Sequence, residues 1–292
     1  MIDLHTHTTA SDGTLSPEAL IDLAADKGLQ AIAITDHDTV GGIPAALERG
    51  KQRGVSVIAG VELGAQWEGA GQMHILGYYI DYKHPHLLER LSWLRARPRD
   101  RGEEIVKRLH AAGVMVTWDR VLQLAGAGSV GRPHVARALL EAGQVPSISE
   151  AFDRYLNPGT PGFLEKIQFT SSQAIELICS SGGTAVLAHP ATLKLRNEGL
   201  EACIEELISE GLRGIEGYWS KHDKPEVSRY EELAAHFGLI MTGGSDFHGA
   251  NKPTIELSAG LNGQLDEASV LRALKTRNTQ ALLQRCVVNL PV

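Results

Sequence analysis

The chain has 292 residues, of which 43% are hydrophobic and 22% charged, and its formal net charge at pH 7 is -7. These proportions are ordinary for a soluble globular protein with a sizeable core, and the acidic balance argues against an extended basic surface for long nucleic acids. The three cysteines form no CxxC pair, which argues against a disulfide framework or a zinc-thiolate site. No apolar run has membrane-spanning length and no signal peptide is visible, so we expect a cytoplasmic protein without a membrane segment.

Strands and helices alternate along the first part of the chain. A helix is predicted to begin after Ser16, because serine is a good N-cap and Pro17 suits the first turn, and to end at Gly28. A second helix is predicted near residues 41–53. The predicted strands cover residues 2–7, 31–35, 55–63 and 73–80. This alternation is typical of parallel βαβ units.

The alternation stops at about residue 84. From there to residue 155 the pattern is almost wholly helical, and Pro98 is predicted to break or kink the first long helix. Alternation then resumes, with strands predicted at residues 184–188, 214–218 and 239–242. We therefore predict an α/β core formed by residues 1–83 and 166–292, with a helical insertion at residues 84–165.

Histidines and carboxylates recur just after the predicted strands. His5 and His7 end the first strand, and residues two apart in an extended chain point to the same side. The same kind of residue follows or opens the other strand regions at Asp12, Asp36, His37, Asp38, Glu62, His74, His189, Asp246 and His248. Because strand ends of parallel α/β folds meet at one face, we expect these side chains to converge.

Such a cluster is suited to metal binding. Histidine and carboxylate ligands without thiolates favour manganese, zinc or iron, and this many of them can hold two or three ions. A carboxylate that bridges ions about 3.5–4 Å apart is the usual arrangement in phosphoesterases, where the metals activate water and stabilise the leaving oxygen. The cluster therefore predicts a metal-dependent phosphoesterase.

Seven segments also resemble a known family. In chain order they are DLHTHTTASDGT, AITDHDT, GVEL, HILGY, GRPHVARAL, LAHP and GGSDFHG. As an ordered set they resemble the polymerase and histidinol phosphatase (PHP) superfamily, especially its TrpH-like phosphoesterases, which include 3',5'-nucleotide bisphosphatases. The resemblance covers nearly the whole chain and implies an α/β fold, a distorted (β/α)7 TIM-like barrel with a helical insertion.

The resemblance further implies two or three divalent ions per chain, with manganese favoured and zinc or iron as alternatives. The ligands it implies are His5, His7, Glu62 and Asp246 for the first ion, Glu62, His74 and His189 for the second, and Asp12, His37 and His248 for the third. In many members a histidine holds the position of Asp12, and an aspartate there adds negative charge that could change metal preference. Asp36 and Asp38, which flank His37, are expected to orient neighbours rather than bind an ion.

Other residues are predicted to bind the substrate. Arg132 and His134 stand at an expected helix start, where backbone N–H groups favour anions, and arginine adds a bidentate fork for phosphate. The resembling branch carries this GRPH segment, which supports the same role. Lys166 and His222 are two further candidates for substrate contacts.

We therefore expect an enzyme that hydrolyses the 3'-phosphate of a 3',5'-bisphosphonucleotide, such as adenosine 3',5'-bisphosphate, by metal-activated hydroxide. His189 and Asp246 are the candidate catalytic residues for proton transfer. One alternative is a 5'-to-3' exonuclease on short RNA or DNA, and a second is a non-catalytic metal-binding module. The expected partner is a small nucleotide or a short oligonucleotide.

Overall fold

The computed structural model describes residues 1–125, 130–164, 168–259 and 266–276, without the side chains of residues 96–99. It divides into two compact units. The first comprises Met1–Leu88 and Phe169–Val292, and the second comprises Glu89–Gln168. Lys166, one of the predicted substrate contacts, lies outside the described residues.

The first unit is built on one sheet. Its strands are β1 (Ile2–Asp3), β2 (Ala31–Ile34), β3 (Ser56–Gln66), β4 (Met73–Tyr78), β5 (Phe169–Thr170), β6 (Thr184–Leu187), β7 (Gly214–Trp219) and β8 (Ile240–Gly244). Within the described residues their order is β1-β2-β3-β4-β6-β7-β8, and β5 pairs with β3 outside this path.

The two ends of the sheet come together. Leu4 N donates to Gly243 O at 3.3 Å, and His7 N donates to Phe247 O at 3.0 Å, so the segment after β1 meets the end of β8. The sheet is therefore barrel-like and nearly closed, which confirms the predicted α/β barrel class.

Strand β4 departs from the expected parallel arrangement. It pairs antiparallel with both β3 and β6, whereas the other neighbours on the path are parallel. A short connection between β3 and β4 suffices for an antiparallel pair, because no crossover helix is needed. The reversal places the start of β4, and with it His74, at the end of the sheet where the parallel strands finish.

Helices follow the strands and form the second unit. They are α1 (Pro17–Asp26), α2 (Ile43–Arg53), α3 (Pro85–Ala111), α4 (Trp118–Ala125), α5 (Arg132–Glu141), α6 (Ile148–Ala151), α7 (Ser171–Ser180), α8 (Asn197–Glu210), α9 (Lys224–Phe237) and a helix at 267–276. The predicted start of α1 is confirmed, since Ser16 Oγ accepts a hydrogen bond from Ala19 N at 3.2 Å. No helix in the described ranges is long and apolar enough to cross a bilayer.

The prediction that Pro98 breaks or kinks the first long helix is wrong as far as a break is concerned. Helix α3 is continuous from Pro85 to Ala111. An internal proline costs about 3 kcal/mol, through a lost hydrogen bond and a steric clash. Apolar side chains are buried on both sides of it, Leu91 and Leu94 before and Ile105 and Leu109 after, and their burial offsets that cost.

Candidate metal centre

The structure brings all nine predicted metal ligands together in the first unit. They form four overlapping groups, and the donor atoms within each group lie within 4.8 Å of one another. The groups are His5, Glu62 and His189; His5, His7 and Asp246; His37, Glu62 and His74; and His7, Asp12, His37 and His248. Since the groups share members, they form one continuous cluster.

Glu62 lies at the centre of this cluster. It is fully buried, and five histidine rings present nitrogens to its two oxygens. The contacts to Oε2 are His5 Nε2 at 3.2 Å, His7 Nε2 at 3.2 Å and His37 Nδ1 at 3.0 Å, and those to Oε1 are His74 Nδ1 at 2.7 Å and His189 Nε2 at 3.0 Å.

Several of these buried atoms have no hydrogen-bond partner. They are Glu62 Oε2, His5 Nε2 and both ring nitrogens of His7. Leaving buried polar atoms unpaired is costly. Ligands about 2.1 Å from a shared ion lie roughly 3 Å apart, which matches the separations around Glu62. The arrangement therefore fits a divalent cation, and the donor set contains only imidazole and carboxylate groups.

The charge states also suit a cation. Burial would raise the pKa of Glu62, but electrostatic interaction with the surrounding histidine rings, His37 and His74 foremost, outweighs burial and holds that pKa well below its usual range. Burial likewise opposes ionisation of Asp246, yet the nearby rings of His7, whose Nε2 lies 3.5 Å from Oδ1, and of His5 outweigh burial and lower its pKa. Burial lowers the pKa of His37 to about 3, so this ring is neutral at pH 7. Burial opposes protonation of His5 and His7, but the neighbouring carboxylates outweigh it and raise the pKa of both rings. A cation that binds there would therefore displace protons, because imidazole binds a metal in its neutral form.

Asp12 brings a carboxylate to the more exposed side of the cluster. Its side chain is 55% exposed, and its Oδ1 lies 3.2 Å from His248 Nε2 and 3.6 Å from His7 Nδ1. Burial alone would raise the pKa of Asp12. The hydrogen bond with His248 and the electrostatic interaction with nearby histidines outweigh burial, so the pKa is lowered. The loop that carries Asp12 is held by Asp36, which accepts hydrogen bonds from Thr8 N at 2.7 Å and Ser11 Oγ at 2.6 Å.

Two ligand positions have unusual backbone conformations. The φ angles are 23° at His189 and 59° at Asp246, in the left-handed region that L-residues rarely adopt. Each follows a strand of the sheet, β6 or β8, at the point where the chain turns away. Strained backbone of this kind persists only where surrounding interactions compensate its energy, and it is found most often at functional sites.

Two glycines allow the cluster to close. A Cβ at Gly244 would overlap the Cβ and backbone of His5, and one at Gly13 would overlap the carbonyl of His7. Any other residue at either position would displace the segment that carries His5 and His7. The glycines of the DGT and GGSDFH motifs therefore allow close backbone approach beside the ligands.

Glu216 is a functional candidate that the sequence analysis missed. Its Oε1 accepts a hydrogen bond from His5 Nδ1 at 2.9 Å, and its Oε2 accepts one from His189 N at 2.8 Å. When the His5 ring is neutral and donates from Nδ1 to Glu216, its lone pair is on Nε2, the nitrogen that faces Glu62. Glu216 lies within β7 rather than after it, so a search of strand ends does not find it. The signal in the sequence that could have revealed it is a single carboxylate in the otherwise apolar, buried strand GIEGYW.

Arg132 and His134 lie in the second unit, at the N-terminus of α5. Arg132 Nη1 donates to Leu156 O at 3.0 Å, and its guanidinium lies 5.7 Å from the centre of the Phe163 ring. Gly131 N donates to His134 Nδ1 at 3.0 Å, so the proton of the neutral ring is on Nε2, where it can be donated.

A second guanidinium accompanies Arg132 in this unit. Arg101 donates from Nε and Nη2 to Leu164 O at 3.0 and 2.7 Å. Burial and the charge of Arg132 lower the pKa of Arg101, which reflects two like charges held close together. Among the described residues, neither guanidinium forms an ion pair with a carboxylate.

His222 lies in the first unit, next to the cluster rather than within it. Its Nδ1 donates to Gly217 O at 2.8 Å, and its ring centre lies 5.1 Å from that of Trp219. Trp219 in turn lies 5.1 Å from the ring of His189. His222 Nε2 is buried without a hydrogen-bond partner, and burial lowers the pKa of the ring.

Comparison with known proteins places the chain in a family. The PHP domain model matches residues 3–288. The chain is 38% identical over 261 residues to the 5'-3' exoribonuclease Rnm of Salmonella typhimurium, covering 89% of this chain and 88% of that protein. It is 33% identical over 248 residues to a 3',5'-nucleoside bisphosphate phosphatase of Chromobacterium violaceum, covering 85% and 87%.

A solved structure gives the same result. It carries the designation of a metal-dependent phosphoesterase from Bifidobacterium adolescentis, and it superposes with a TM-score of 0.71 at 31% identity over 94% of this chain and 96% of that one. The family match, these relatives and the histidine-carboxylate cluster agree with one another. The chain therefore belongs to the PHP domain family and is a metal-dependent phosphoesterase.

Proposed function

We propose that the protein hydrolyses the 3'-phosphate of a 3',5'-bisphosphonucleotide, with adenosine 3',5'-bisphosphate as the representative substrate and manganese as the ion. The observation that carries the proposal is the cluster of unpaired buried donors around Glu62, which fits divalent cations. The Chromobacterium violaceum relative supports the nucleotide class, because its named substrate is a 3',5'-nucleoside bisphosphate.

The residues that would hold the ions are the nine ligands of the cluster. Glu62 is suited to bridge two ions, because its oxygens face different histidines. A set of imidazole and carboxylate ligands suits manganese, with zinc and iron as alternatives. Bound divalent ions supply Lewis acidity that polarises phosphoryl oxygens and makes water a stronger acid.

His189 and Asp246 are the residues to which we assign proton transfer. Asp246 is ionised, and its Oδ1 lies 3.5 Å from His7 Nε2, so it can accept a hydrogen bond from water at the cluster. His189 Nδ1 lies 3.1 Å from Thr192 Oγ1, which fixes the ring while Nε2 faces Glu62. Orientation by such partners is what proton transfer requires.

Arg132 is the proposed contact for the second phosphate of the substrate. It uses one N–H for Leu156 O, and the remaining donors of its guanidinium are suited to a bidentate phosphate contact. His134 Nε2 and the neighbouring Arg101 add further donors in the same unit. Lys166 and His222 complete the proposed substrate set.

A second candidate function is a 5'-to-3' exonuclease on short RNA or DNA. The Salmonella typhimurium relative is named an exoribonuclease and shares 38% identity with this chain. The metal chemistry is the same, but the bond cut is a phosphodiester. The non-catalytic module is disfavoured, because each of the nine ligand positions carries a side chain able to bind a metal.

Replacing Glu62 tests the cluster itself. Glu62→Gln removes the central negative charge of the cluster. We expect the affinity of the chelator-treated protein for manganese to fall by more than the roughly 10–100-fold that is typical when a residue that only orients a ligand is lost. Isothermal titration with manganese measures it. Glu68→Gln, an exposed residue two positions after β3, is the matched control. A Glu62→Gln protein that binds manganese like the wild type contradicts the proposed centre.

The substrate is tested by phosphate release. With manganese, the wild type is expected to convert adenosine 3',5'-bisphosphate to AMP and phosphate in equal amounts, because the ester at the 3' position is the one cut. Chelator-treated enzyme and His5→Ala are expected to release none. Absence of release above the His5→Ala control excludes this substrate, and a higher kcat/KM on a 5'-phosphorylated trinucleotide selects the exonuclease instead.

The phosphate contact is tested by comparing two arginines. Arg132→Gln is expected to raise KM for the bisphosphonucleotide about 10–100-fold, since a charged hydrogen bond contributes about 1.5–3 kcal/mol. Arg108→Gln is the control, because Arg108 donates to Phe163 O at 3.2 Å but is already paired with Glu104. Steady-state kinetics measure both variants. Equal KM values for the two variants would show that Arg132 does not bind the substrate.

A further inference from the structure

Lys252 lies against the metal cluster and has no role in the function proposed above. It follows the GGSDFHG motif, and its Nζ lies 2.7 Å from Oδ2 of Asp246. Its side chain is 31% exposed, whereas that of Asp246 is 6% exposed. The ammonium group therefore closes the outer side of a nearly buried carboxylate.

The two oxygens of Asp246 have separate surroundings. Oδ2 accepts hydrogen bonds from Lys252 Nζ and from Trp219 Nε1, the latter at 3.3 Å. Oδ1 lies 3.5 Å from His7 Nε2 and 3.8 Å from His5 Nε2. One oxygen is thus held from outside by two donors, and the other faces the histidines of the cluster.

The segment that carries Lys252 is itself fixed to the loop of Asp12. Asn251 Nδ2 donates to Asp12 O at 2.7 Å, and Ala250 N donates to Thr14 Oγ1 at 2.9 Å. Lys252 N donates to Gly249 O at 3.1 Å, and Lys252 O accepts from Ile255 N at 3.0 Å. Because its backbone is held on both sides, Lys252 presents its ammonium from a defined position.

We propose that Lys252 is a positioning residue of the metal centre. With Trp219 it fixes Oδ2 of Asp246, so that Oδ1 stays directed at the site shared with His5 and His7. The inference rests on Asp246 being a metal ligand, as proposed above. Partners of this kind orient ligands and reduce the reorganisation needed when a cation binds.

Simple electrostatics predicts the opposite effect. A positive charge beside a cation site repels the cation, so an ammonium with no positioning role weakens metal binding. Its removal would then leave affinity unchanged or raise it. If Lys252 holds Asp246 in place, its removal lowers affinity. The sign of the change therefore separates the two roles.

The test measures the manganese affinity of chelator-treated full-length variants by isothermal titration. Lys252→Met keeps the apolar stem and removes the ammonium, and we expect the dissociation constant to rise about 10–100-fold. Lys252→Arg keeps charge and donors, and should recover part of the affinity. Lys27→Met is the matched control. Lys27 forms a 3.0 Å ion pair with Glu256, a residue four positions after Lys252 that is not one of the proposed metal ligands.

Thermal unfolding of the metal-free variants checks that folding is intact, and Lys252→Gln carries the same test if the methionine variant is unstable. Affinity equal to or higher than that of the wild type overturns the proposal. Manganese binding is measured without nucleotide, so failure of the bisphosphonucleotide assay leaves this test intact. If the wild type is active, a lower kcat with little change in KM for Lys252→Met adds a second supporting result.

Discussion

The site depends on one buried carboxylate surrounded by imidazole rings. Glu62 is removed from water, and a buried anion is tolerated only where neighbouring groups compensate its charge. The five histidine rings around it supply nitrogens at 2.7–3.2 Å, yet Oε2 and three of the ring nitrogens remain without hydrogen bonds. A divalent cation supplies what is missing, since one positive ion can pair with the oxygen and with several nitrogens at once.

The fold meets this requirement by directing strand ends to one place. The segments after β1, β2, β6 and β8 each deliver ligands, and the reversed strand β4 brings His74 to the same end of the sheet. Behind the ligands, Glu216 orients His5 and Asp36 holds the Asp12 loop. The left-handed backbone at His189 and Asp246 shows that local strain is accepted to keep donors convergent.

Much of this architecture could be predicted from the sequence. Recurrence of histidine and carboxylate after apolar strands predicted a convergent cluster that includes all nine residues, because the ends of parallel strands share a face. The barrel class was implied by the family resemblance. Asp36, which follows a strand, was predicted in this way to orient its neighbours, whereas Glu216 and Lys252 were not found. Glu216 lies inside a strand and Lys252 lies six residues after Asp246, and neither position follows from strand-end spacing.

Other features depend on energies that a local pattern does not contain. The antiparallel course of β4 follows from strand pairing across the sheet, and α3 continues through Pro98 because buried side chains on both sides outweigh the local penalty. Anomalous diffraction from crystals of the wild-type protein grown with manganese tests the metal centre most directly. Anomalous peaks beside Glu62, each surrounded by histidines and carboxylates of the cluster, are the predicted result. Manganese bound only elsewhere on the chain would contradict it.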